Sequence, residues 1–499
     1  MYKIKGNVKD INGNPISRTV KALDRDSKAT IVQTLSNPIT GDYTLYLTND
    51  TPVIVMCEPD SGDSANLYLY DNIIPESVGA VATDGTNDIG VPGTLGFGVG
   101  TAPVLLAGMT PLNGYDDINS ENYGNYRYDL DGSIMVWIPA FWYKWGTGSN
   151  GVDLNEIEIK AYDEYVDEAT ANADGFAIHR AFYDGGAIKS GVFVDKYMCS
   201  INPNASIASS LKYGNPVSLS PSTPNVAQLG PYPNQLSGAI DAAKTRGTDF
   251  FCTSRFIYGA IAFLSYAHAR SSTNTEFCGW YMENYNFPKG VTNTAGRDTL
   301  DSNTETYPGD YNYRRKTGSM FPLEKNTHNG QLSGITDVSG NMGEVSPGLS
   351  YESSQYRVLK TSVAMKDVTG GTTLATDLWG ATGVANLYDA ATNTYGALDG
   401  TASYRYPDPT VQTFSEDLNG LNWALSGLAI PVAGALSTTN HYRYGGGQWT
   451  TRTNLCAALT SGYWGDGENA GVFALHLSGS RTYSSAIGYY GFRLSAYVP

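Results

Sequence analysis

Residues 462–493 read GYWGDGENAGVFALHLSGSRTYSSAIGYYGFR. An apolar run at residues 470–475 lies between two loops that are rich in Gly, Ser, Asp, Asn and Tyr, and the stretch closes on Gly491, Phe492 and Arg493. Small polar residues and tyrosines on a fixed scaffold are typical of a recognition surface. They are equally typical of hairpin turns between core strands, so both interpretations stay open at this point.

The composition of the whole chain favours β structure. The 499 residues are too many for one ordinary core, so we expect two or three domains. Hydrophobic residues make up 41% and charged residues only 16%, while Gly (56) and Tyr (36) are abundant. This balance predicts an α+β protein that is mostly β, with long ordered loops.

The charge of the chain excludes several partners. The net charge of −16 would be repelled by nucleic acid and by anionic membrane surfaces. The sequence lacks both the apolar core of a signal peptide at its start and an apolar span long enough for a bilayer. We therefore expect no nucleic acid partner, no membrane insertion, and synthesis in the cytoplasm of the producing cell.

The cysteines and histidines are scattered. The five cysteines are odd in number and widely spaced, which disfavours a disulfide framework or a zinc site; they are Cys57, Cys199, Cys252, Cys278 and Cys456. The five histidines show no metal-ligand spacing either. The sequence therefore predicts no cofactor and no catalytic metal.

Residues 1–80 show short alternating strands. Asn12-Gly13 predicts a tight hairpin, and residues 19–24, 44–48 and 53–56 alternate with a period of two. This pattern predicts a small β-sandwich. The segment also resembles the carboxypeptidase-regulatory-like family of Ig-like sandwiches, through G-x-V-x-D-x-x-G-x-P at residues 6–15 and T-G-x-Y-x-L at residues 40–45. The resemblance implies a spacer or docking module.

Residues 81–126 are rich in Gly, Asn and Asp, and they predict a connector with little core of its own. The connector is either an ordered path over a partner subunit or a flexible linker. Residues 127–499 form the third predicted unit. Its best helix extends over residues 248–270, with Thr248 and Asp249 as the expected cap.

Four motifs of the third unit resemble the formylglycine-generating-enzyme-like branch of the C-type lectin fold. They are VFVDKY (192–197), GITDVSGNMGE (334–344), GGGQW (445–449) or alternatively GYW (462–464), and the closing GFR (491–493). Their order matches the family over most of this unit. The resemblance implies a C-type-lectin-like domain with long ordered loops.

Two further stretches are close to phage-encoded members of this fold. WGDGENAGVFALHL (464–477) is similar to their W-x-x-G-x-N-A-G-V-F-x-L-x-L run, and MVWIP (135–139) looks like tail-fibre members. That group includes variable proteins that are diversified by retroelements. His476, Ser478, Gly479, Tyr483 and Ser485 can each arise from an Asn codon by changes at its adenines.

The departures from the family argue against an enzyme. Its oxidising members bind copper through two nearby cysteines in their C-terminal portion, where this chain has only Cys456. The usual V-W-E-W motif is also altered, because Met342, Gly343 and Val345 replace its three apolar members. We therefore expect a binding function.

The predicted recognition face lies on the closing stretch. Strand alternation turns Leu475 and Leu477 inward and His476 and Ser478 outward. The candidate receptor-binding residues are Tyr463, Asp466, Glu468, His476, Ser478, Tyr483, Ser485, Tyr489 and Tyr490. The tyrosines would supply stacking area, and the two acidic residues would accept hydrogen bonds from sugar hydroxyls or pair with a basic receptor loop.

Several neighbouring residues have a simpler structural explanation. Trp464 and Phe492 fit the core, and Arg493 fits a role in binding backbone carbonyls near the C-terminus. Asp337 and Asn341 fit a turn fixed by side-chain hydrogen bonds, with a structural calcium ion as the alternative. The sequence leaves open whether residues 351–440 join the binding face or a subunit contact.

The resemblance implies a non-enzymatic bacteriophage virion protein of the tail fibre or tail tip. It would bind a host cell-surface glycan or protein through its C-terminal face, as a homotrimer, with its N-terminal sandwich and connector against other virion proteins. A head or tail decoration protein is the alternative. An oxidase of the formylglycine-generating type and a bacterial surface adhesin are further, less favoured alternatives.

Overall fold

The computed structural model describes residues 2–8, 14, 18–36, 42–47, 52–57, 68–73, 76–77, 88–203, 206–221, 224–272, 296–297, 315–321, 323–352, 355–370, 387–391, 404–438, 448–451, 456–466, 469–478 and 485–498. The chain divides into two compact units, Met1–Asp84 and Gly85–Pro499. Strand residues outnumber helical ones, as the composition predicts for a mostly β protein of the α+β class.

The first unit contains two antiparallel sheets. One has the order β4-β1-β7 and the other the order β3-β2-β5-β6. The strands are β1 Tyr2–Asn7, β2 Thr19–Asp24, β3 Thr30–Leu35, β4 Asp42–Leu47, β5 Val53–Cys57, β6 Tyr68–Ile73 and β7 Glu76–Ser77.

The two sheets of the first unit share one small core. Ile4 and Leu45 come from the first sheet, and alternate residues of β2 and β5 come from the second: Val20, Ala22, Val53 and Val55. The predicted alternation of residues 19–24 and 53–56 therefore sets which face is buried, and the unit is a β-sandwich. The hairpin predicted at Asn12-Gly13 lies outside the described residues.

The second unit is built mainly around two large sheets, of order β19-β31-β16-β10-β9-β8 and β24-β23-β22-β28-β29-β27, with β30 pairing β22 in addition. A smaller sheet has the order β12-β11-β13. The strands are β8 Met109–Pro111, β9 Asn125–Tyr128, β10 Ser133–Pro139, β11 Phe141–Trp145, β12 Ile157–Ala161, β13 Ala177–Ile178, β14 Tyr183–Asp184, β15 Ala187–Ile188, β16 Gly191–Asp195, β17 Cys199–Ile201, β18 Ala208–Ser210, β19 Phe251–Cys252, β20 Gly296–Arg297, β21 Met320–Phe321, β22 Gly343–Glu352, β23 Gln355–Leu359, β24 Tyr388–Ala391, β25 Tyr406–Pro407, β26 Leu436–Ser437, β27 Gln448–Thr451, β28 Cys456–Thr460, β29 Leu475–Ser478, β30 Tyr490–Gly491 and β31 Leu494–Ala496.

The helices that the structure describes in the second unit are mostly short. These α-helices are α1 Glu168–Ala173, α2 Leu236–Ala242, α3 Arg255–Ser271 and α4 Gly420–Gly427. Short 3₁₀ turns lie at Tyr162–Glu164, Arg180–Phe182, Val226–Leu229, Ala243–Thr245, Leu323–Asn326 and Met365–Asp367. Within the described part of the chain, no helix is both long and apolar enough to cross a membrane.

The connector predicted over residues 81–126 is corrected for residues 88–126, which belong to the second unit. Ile89, Phe97 and Val99 are fully buried in its core, and β8 and β9 extend its six-stranded sheet. Glycines allow this close packing: a Cβ on Gly90, whose φ is +79°, would lie 2.9 Å from the Phe97 Cα. The Gly-rich composition therefore reflects tight turns and not a lack of core. Residues 81–87 lie outside the described residues.

The predicted long helix exists as α3, but it begins at Arg255, several residues later than predicted. Ser254 is its N-cap, and its hydroxyl accepts from the Ile257 amide. The preceding Phe251 and Cys252 form β19, which pairs with β31 at the C-terminus. Phe251 and Cys252 therefore belong to the sheet and not to the helix, because strand pairing outweighs local helix propensity here.

A buried ion pair joins Glu344 and Arg493, the last residues of the motifs at 334–344 and 491–493. The Arg493 guanidinium donates to both Glu344 carboxylate oxygens at 2.7 and 2.8 Å, and also to the carbonyls of Asp195, Lys196 and Thr336. Both charged side chains are fully buried. The expectation that Arg493 binds backbone carbonyls is confirmed, but these carbonyls belong to residues 195, 196 and 336 and not to residues near the C-terminus, and Glu344 is its main partner.

A second buried pair lies beside the first. The Arg246 guanidinium donates to both carboxylate oxygens of Asp195 and, at 3.2 Å, to Asp131. The Leu494 amide donates to the same Asp195 carboxylate at 3.0 Å. Adjacent residues at the C-terminus, Arg493 and Leu494, therefore contact both pairs, so β16 and the closing segment are held together by charge as well as by strand pairing.

Replacing Arg493 by Met should destabilise the second unit by about 3–5 kcal/mol, because Glu344 would remain as a buried, unpaired carboxylate. The double variant R493M/E344Q should lose less. Urea unfolding followed by tryptophan fluorescence tests this, since all 8 tryptophans lie after residue 84.

The matched control is Arg127→Met, which removes a pair whose side chains are 50% and 43% exposed. It should cost less than about 1 kcal/mol. Equal losses for R493M and R127M would contradict the importance assigned to the buried pair.

Candidate functional site

Strand β29 positions the predicted recognition face. It lies between β27, which is parallel to it, and β28, which is antiparallel. Leu475 and Leu477 are fully buried, whereas His476 is partly exposed. The predicted alternation is confirmed for these three residues. The side chain of Ser478 lies outside the described part.

A tight turn precedes the strand, and Asp466 closes it. The Tyr463 amide donates to Asp466 Oδ2 at 2.9 Å, and the Asn469 side chain donates to the Asp466 carbonyl at 3.0 Å. Gly462 has φ +70°, and a Cβ there would lie 2.7 Å from the Ala470 Cα. The glycine and the carboxylate therefore fix where Tyr463 and Trp464 are placed.

A polar cluster connects this turn to the strand. The Tyr404 hydroxyl donates to Asp466 Oδ1 at 2.7 Å and lies 2.8 Å from His476 Nε2. The Tyr490 hydroxyl lies 3.4 Å from His476 Nδ1. Since Tyr404 uses its one proton on Asp466, His476 Nε2 donates to Tyr404 and Nδ1 accepts from Tyr490. The four side chains form one continuous hydrogen-bonded chain.

Burial changes the acidity of this cluster. Asp466 is only 8% exposed, and burial raises the pKa of its carboxyl to about 6, although the hydrogen bonds from Tyr404 and the Tyr463 amide act in the opposite direction. Burial and the nearby Asp466 charge likewise raise the pKa of Tyr404. Asp466 therefore shapes the turn and is engaged inside the protein, which corrects its predicted role as an acceptor for a ligand.

The exposed part of the site is aromatic. The rings of Tyr463 and Tyr489 are stacked, with centroids 4.3 Å apart, and both are partly exposed. Behind them Trp464 is buried against Met198 and Met342. The core assignment of Trp464 is thus confirmed. We call the stacked pair Tyr463 and Tyr489 the tyrosine platform.

Tyr490 is corrected from a surface residue to a buried one, since it is 2% exposed. Strand β30 pairs with β22 so that Tyr490 lies opposite Gly343. A Cβ on Gly343 would lie 2.4 Å from the Tyr490 ring. The tyrosine ring therefore occupies the space that any side chain at residue 343 would need, so a glycine is required there.

Of the remaining predicted site residues, Ser485 contacts α2, where its carbonyl accepts from the Leu236 amide at 3.2 Å. Glu468 and Tyr483 lie outside the described residues. The cluster among the described residues is thus formed by Tyr463, Asp466, His476, Tyr489 and Tyr490, together with residues that the sequence did not single out.

The missed residues are Tyr404, Tyr406 and Asn469. Tyr404 reaches Asp466 and His476, and the Tyr406 hydroxyl donates to Asn469 Oδ1. Tyr404 and Tyr406 lie on either side of Arg405 in the sequence. Arg405 forms a β-bridge with Gln448 at the start of β27. This period-two pattern was the available signal. The structure places residues 404 and 406, which belong to the stretch 351–440, in contact with residues of the predicted face and the turn before it.

The other candidate chemistry is structural in the described residues. Burial raises the pKa values of the Cys199 and Cys252 thiols well above normal, so neither is a ready nucleophile. Asp337 Oδ2 accepts from the Gly318 amide, and Asn341 bonds both backbone groups of Arg315. These side chains fasten residues 315–318. In the described part of the chain, no group of three or more His, Cys, Asp or Glu side chains is placed to hold a metal ion.

Comparison of the sequence with known protein families finds no matching family, and a search of curated proteins finds no match. The interpretation of the site therefore rests on its own residues and on the resemblance of its motifs.

The free energy of unfolding should fall as pH rises from about 4 to 6 because of Asp466. Its folded pKa of about 6 lies above the ordinary value of 3.8, so the folded state holds a proton that the unfolded state has lost. Two pKa units correspond to about 3 kcal/mol at most. Urea unfolding of the wild type and Asp466→Asn across this range measures the slope, which should be reduced in the variant.

The control is Asp153→Asn, which alters an exposed carboxylate. It should keep the wild-type slope. Parallel pH profiles for the wild type and D466N would contradict the raised pKa of Asp466.

Proposed function

We propose that this chain is a non-enzymatic bacteriophage virion protein, part of a tail fibre or tail tip, that binds a host cell-surface glycan or protein through its C-terminal face. The single observation that carries the proposal is the tyrosine platform, two stacked and partly exposed rings at the end of the second unit. The resemblance of residues 464–477 to phage-encoded lectin-fold proteins supports the same function.

The platform has the properties of a preorganised binding surface. Each tyrosine ring has two rotatable bonds, and the stacking of Tyr463 on Tyr489 restricts both rings before a ligand arrives. Trp464 packs edge-on against Tyr463 with centroids 5.6 Å apart, and so supports the pair from the core. The protein therefore loses little conformational entropy when a ligand covers these rings.

The polar cluster positions the platform and is not itself the contact surface. Asp466 holds the Tyr463 amide, and His476 and Tyr404 hold Asp466 and Tyr490 in place. Aromatic faces suit the C–H surface of a sugar ring as well as apolar side chains of a protein. The receptor class thus stays a glycan or a protein.

A second candidate function follows from the same surface. An exposed aromatic pair is also suited to contact another virion protein, as in a head or tail decoration protein. Labelling the C-terminal face and imaging whole particles separates the two, because a receptor-binding face must be accessible at the tail, whereas a decoration contact is covered by its neighbour.

Replacing Tyr463 or Tyr489 by Ser should weaken adsorption to the host by about tenfold or more, since each change removes stacking area worth roughly 1–3 kcal/mol. The melting temperature should change little, because both rings are partly exposed. Phage carrying each variant are assayed for adsorption rate, and the purified proteins are assayed for thermal unfolding.

The matched control is Tyr232→Ser, a partly exposed tyrosine outside the platform. It should leave adsorption unchanged. Unchanged host adsorption in Y463S/Y489S, with a normal melting temperature, would overturn the proposed receptor-binding face.

We also expect a homotrimer in the virion tail, assembled in the host cytoplasm, with the N-terminal sandwich against other virion proteins. Three copies raise the effective concentration of the remaining faces once one has bound, which compensates for weak single contacts. Light scattering after size exclusion should give three times the 53.6 kDa of one chain. A stable monomer would contradict this expectation.

A further inference from the structure

Residues 89–98 lie near the start of the second unit and form neither helix nor strand; we call them the strap. Ile89 and Phe97 of the strap are fully buried, whereas Val91 is 64% exposed. The strap is folded by turn bonds, and the Gly98 amide donates to the Ile89 carbonyl at 2.9 Å to close it. The strap is therefore a compact loop, and side chains of other segments fasten it to the core.

Helix α3 supplies one of these fastening contacts. The Gly93 amide donates to His268 Nδ1 at 2.9 Å, and the His268 ring packs against Phe97 with centroids 5.0 Å apart. The His268 side chain is fully buried. Because Nδ1 accepts a hydrogen bond, it carries the lone pair, and the hydrogen of the neutral ring is on Nε2. His268 therefore holds the strap only in its neutral form.

The loop at residues 328–331 supplies three further hydrogen bonds to the strap. They are the Gly96 amide to Gln331 Oε1 at 2.8 Å, Asn329 Nδ2 to the Phe97 carbonyl at 3.0 Å, and His328 Nε2 to the Gly98 carbonyl at 3.0 Å. His328 is a donor here, because its Nδ1 accepts from the Ile335 amide. It can donate from Nε2 whether its ring is neutral or charged. Of the four bonds, that of His268 is thus the one that protonation of its own ring breaks.

The surroundings of His268 oppose its protonation. A proton on Nδ1 would face the Gly93 N–H group, so that two donors would meet at 2.9 Å. Burial, and to a smaller extent the neighbouring His328, lower the pKa of His268 to about 3, although a hydrogen bond with the Asn329 backbone acts in the opposite direction. His328 in turn lies near the charge of Arg493. A charged His268 is therefore not compatible with the closed strap.

We propose that the strap is an acid-releasable fastening, which neutral His268 holds closed and protonated His268 releases. Release exchanges the bond to Gly93 and the packing of Phe97 for a solvated imidazolium ring. The strap begins a few residues after the boundary between the two compact units, at residues 84 and 85. Its release adds about ten residues, or at most roughly 35 Å of extended chain, to the segment that connects these units.

The direction of the pH effect follows from the two states of His268. With the strap released, the ring titrates near its ordinary pKa of 6.5, whereas its pKa under the closed strap is about 3. Closure is therefore fully favourable above pH 6.5 and weakens as the pH falls from 6.5 towards 3. Asp337 and Asp466 act in the opposite direction, because burial raises their pKa values to about 7 and about 6 and their folded forms hold a proton.

Hydrogen–deuterium exchange of the full-length chain, read by mass spectrometry of its peptides, tests the proposal at pH 7.5 and pH 5.0. After correction for intrinsic exchange rates, the opening constant of the strap should be about 30-fold larger at pH 5.0, since an imidazole of pKa 6.5 is then protonated in about that excess. Peptides from the buried strands β10 and β16 should show no such rise.

His268→Asn removes the titrating group and keeps an acceptor, since the Asn side-chain oxygen can take the place of Nδ1. This variant should protect the strap at pH 7.5 as the wild type does and should lose the rise at pH 5.0. The matched control is His179→Asn, another fully buried histidine, whose Nδ1 accepts from the Ala181 amide at 3.1 Å. It should keep the wild-type rise.

Any of three results would overturn the proposal. These are equal opening constants of the wild-type strap at the two pH values, an equal rise in the peptides from β10 and β16, and a full rise in H268N. The second result would show a general loss of stability and not a local release. The first two are measured on the wild type, so they decide the matter even if H268N does not fold. None of them involves adsorption to a host, so the proposed receptor binding is tested separately.

Discussion

The buried pair between Arg493 and Glu344 is the interaction on which the second unit depends. Removing two charges from water is costly, and it is tolerated only when both are fully hydrogen-bonded. Arg493 meets this condition through Glu344 and through the carbonyls of Asp195, Lys196 and Thr336. Those carbonyls lie on separate segments, so the guanidinium is satisfied only when the motifs at residues 192–197 and 334–344 are both in place.

The same pair sets the position of the tyrosine platform. Glu344 lies next to Gly343 on β22, and β22 pairs with β30 in the register Gly343 to Tyr490. That register places the Tyr490 ring over the glycine and leaves Tyr489, the preceding residue, partly exposed beside Tyr463. A shift of one residue would exchange the buried and the exposed tyrosine and would also separate Arg493 from Glu344. The register of β22 with β30 therefore fixes both the buried ion pair and the position of the tyrosine platform.

Local patterns of the sequence predict those features that depend on neighbouring residues. The alternation of Leu475, His476 and Leu477 gives the buried and exposed sides of β29, and the closing Arg493 is recognisable as a structural cation. Contacts between distant segments are not predictable in this way. Tyr404 hydrogen-bonds Asp466, 62 residues away, and β19 contains residues expected in a helix. Ile89, Phe97 and Val99 of the expected connector are buried in the core of the second unit. In each case tertiary packing outweighs local propensity.

One aromatic cluster joins β11, α3 and the turn before β29. Phe263 of α3 packs against Tyr143 at 5.3 Å and against Phe473, in the turn before β29, at 6.5 Å, and Phe414 packs between Trp145 and Phe473. Close-packed rings have a single arrangement and do not deform continuously. The cluster therefore holds β11 and the turn before β29 in fixed positions relative to each other.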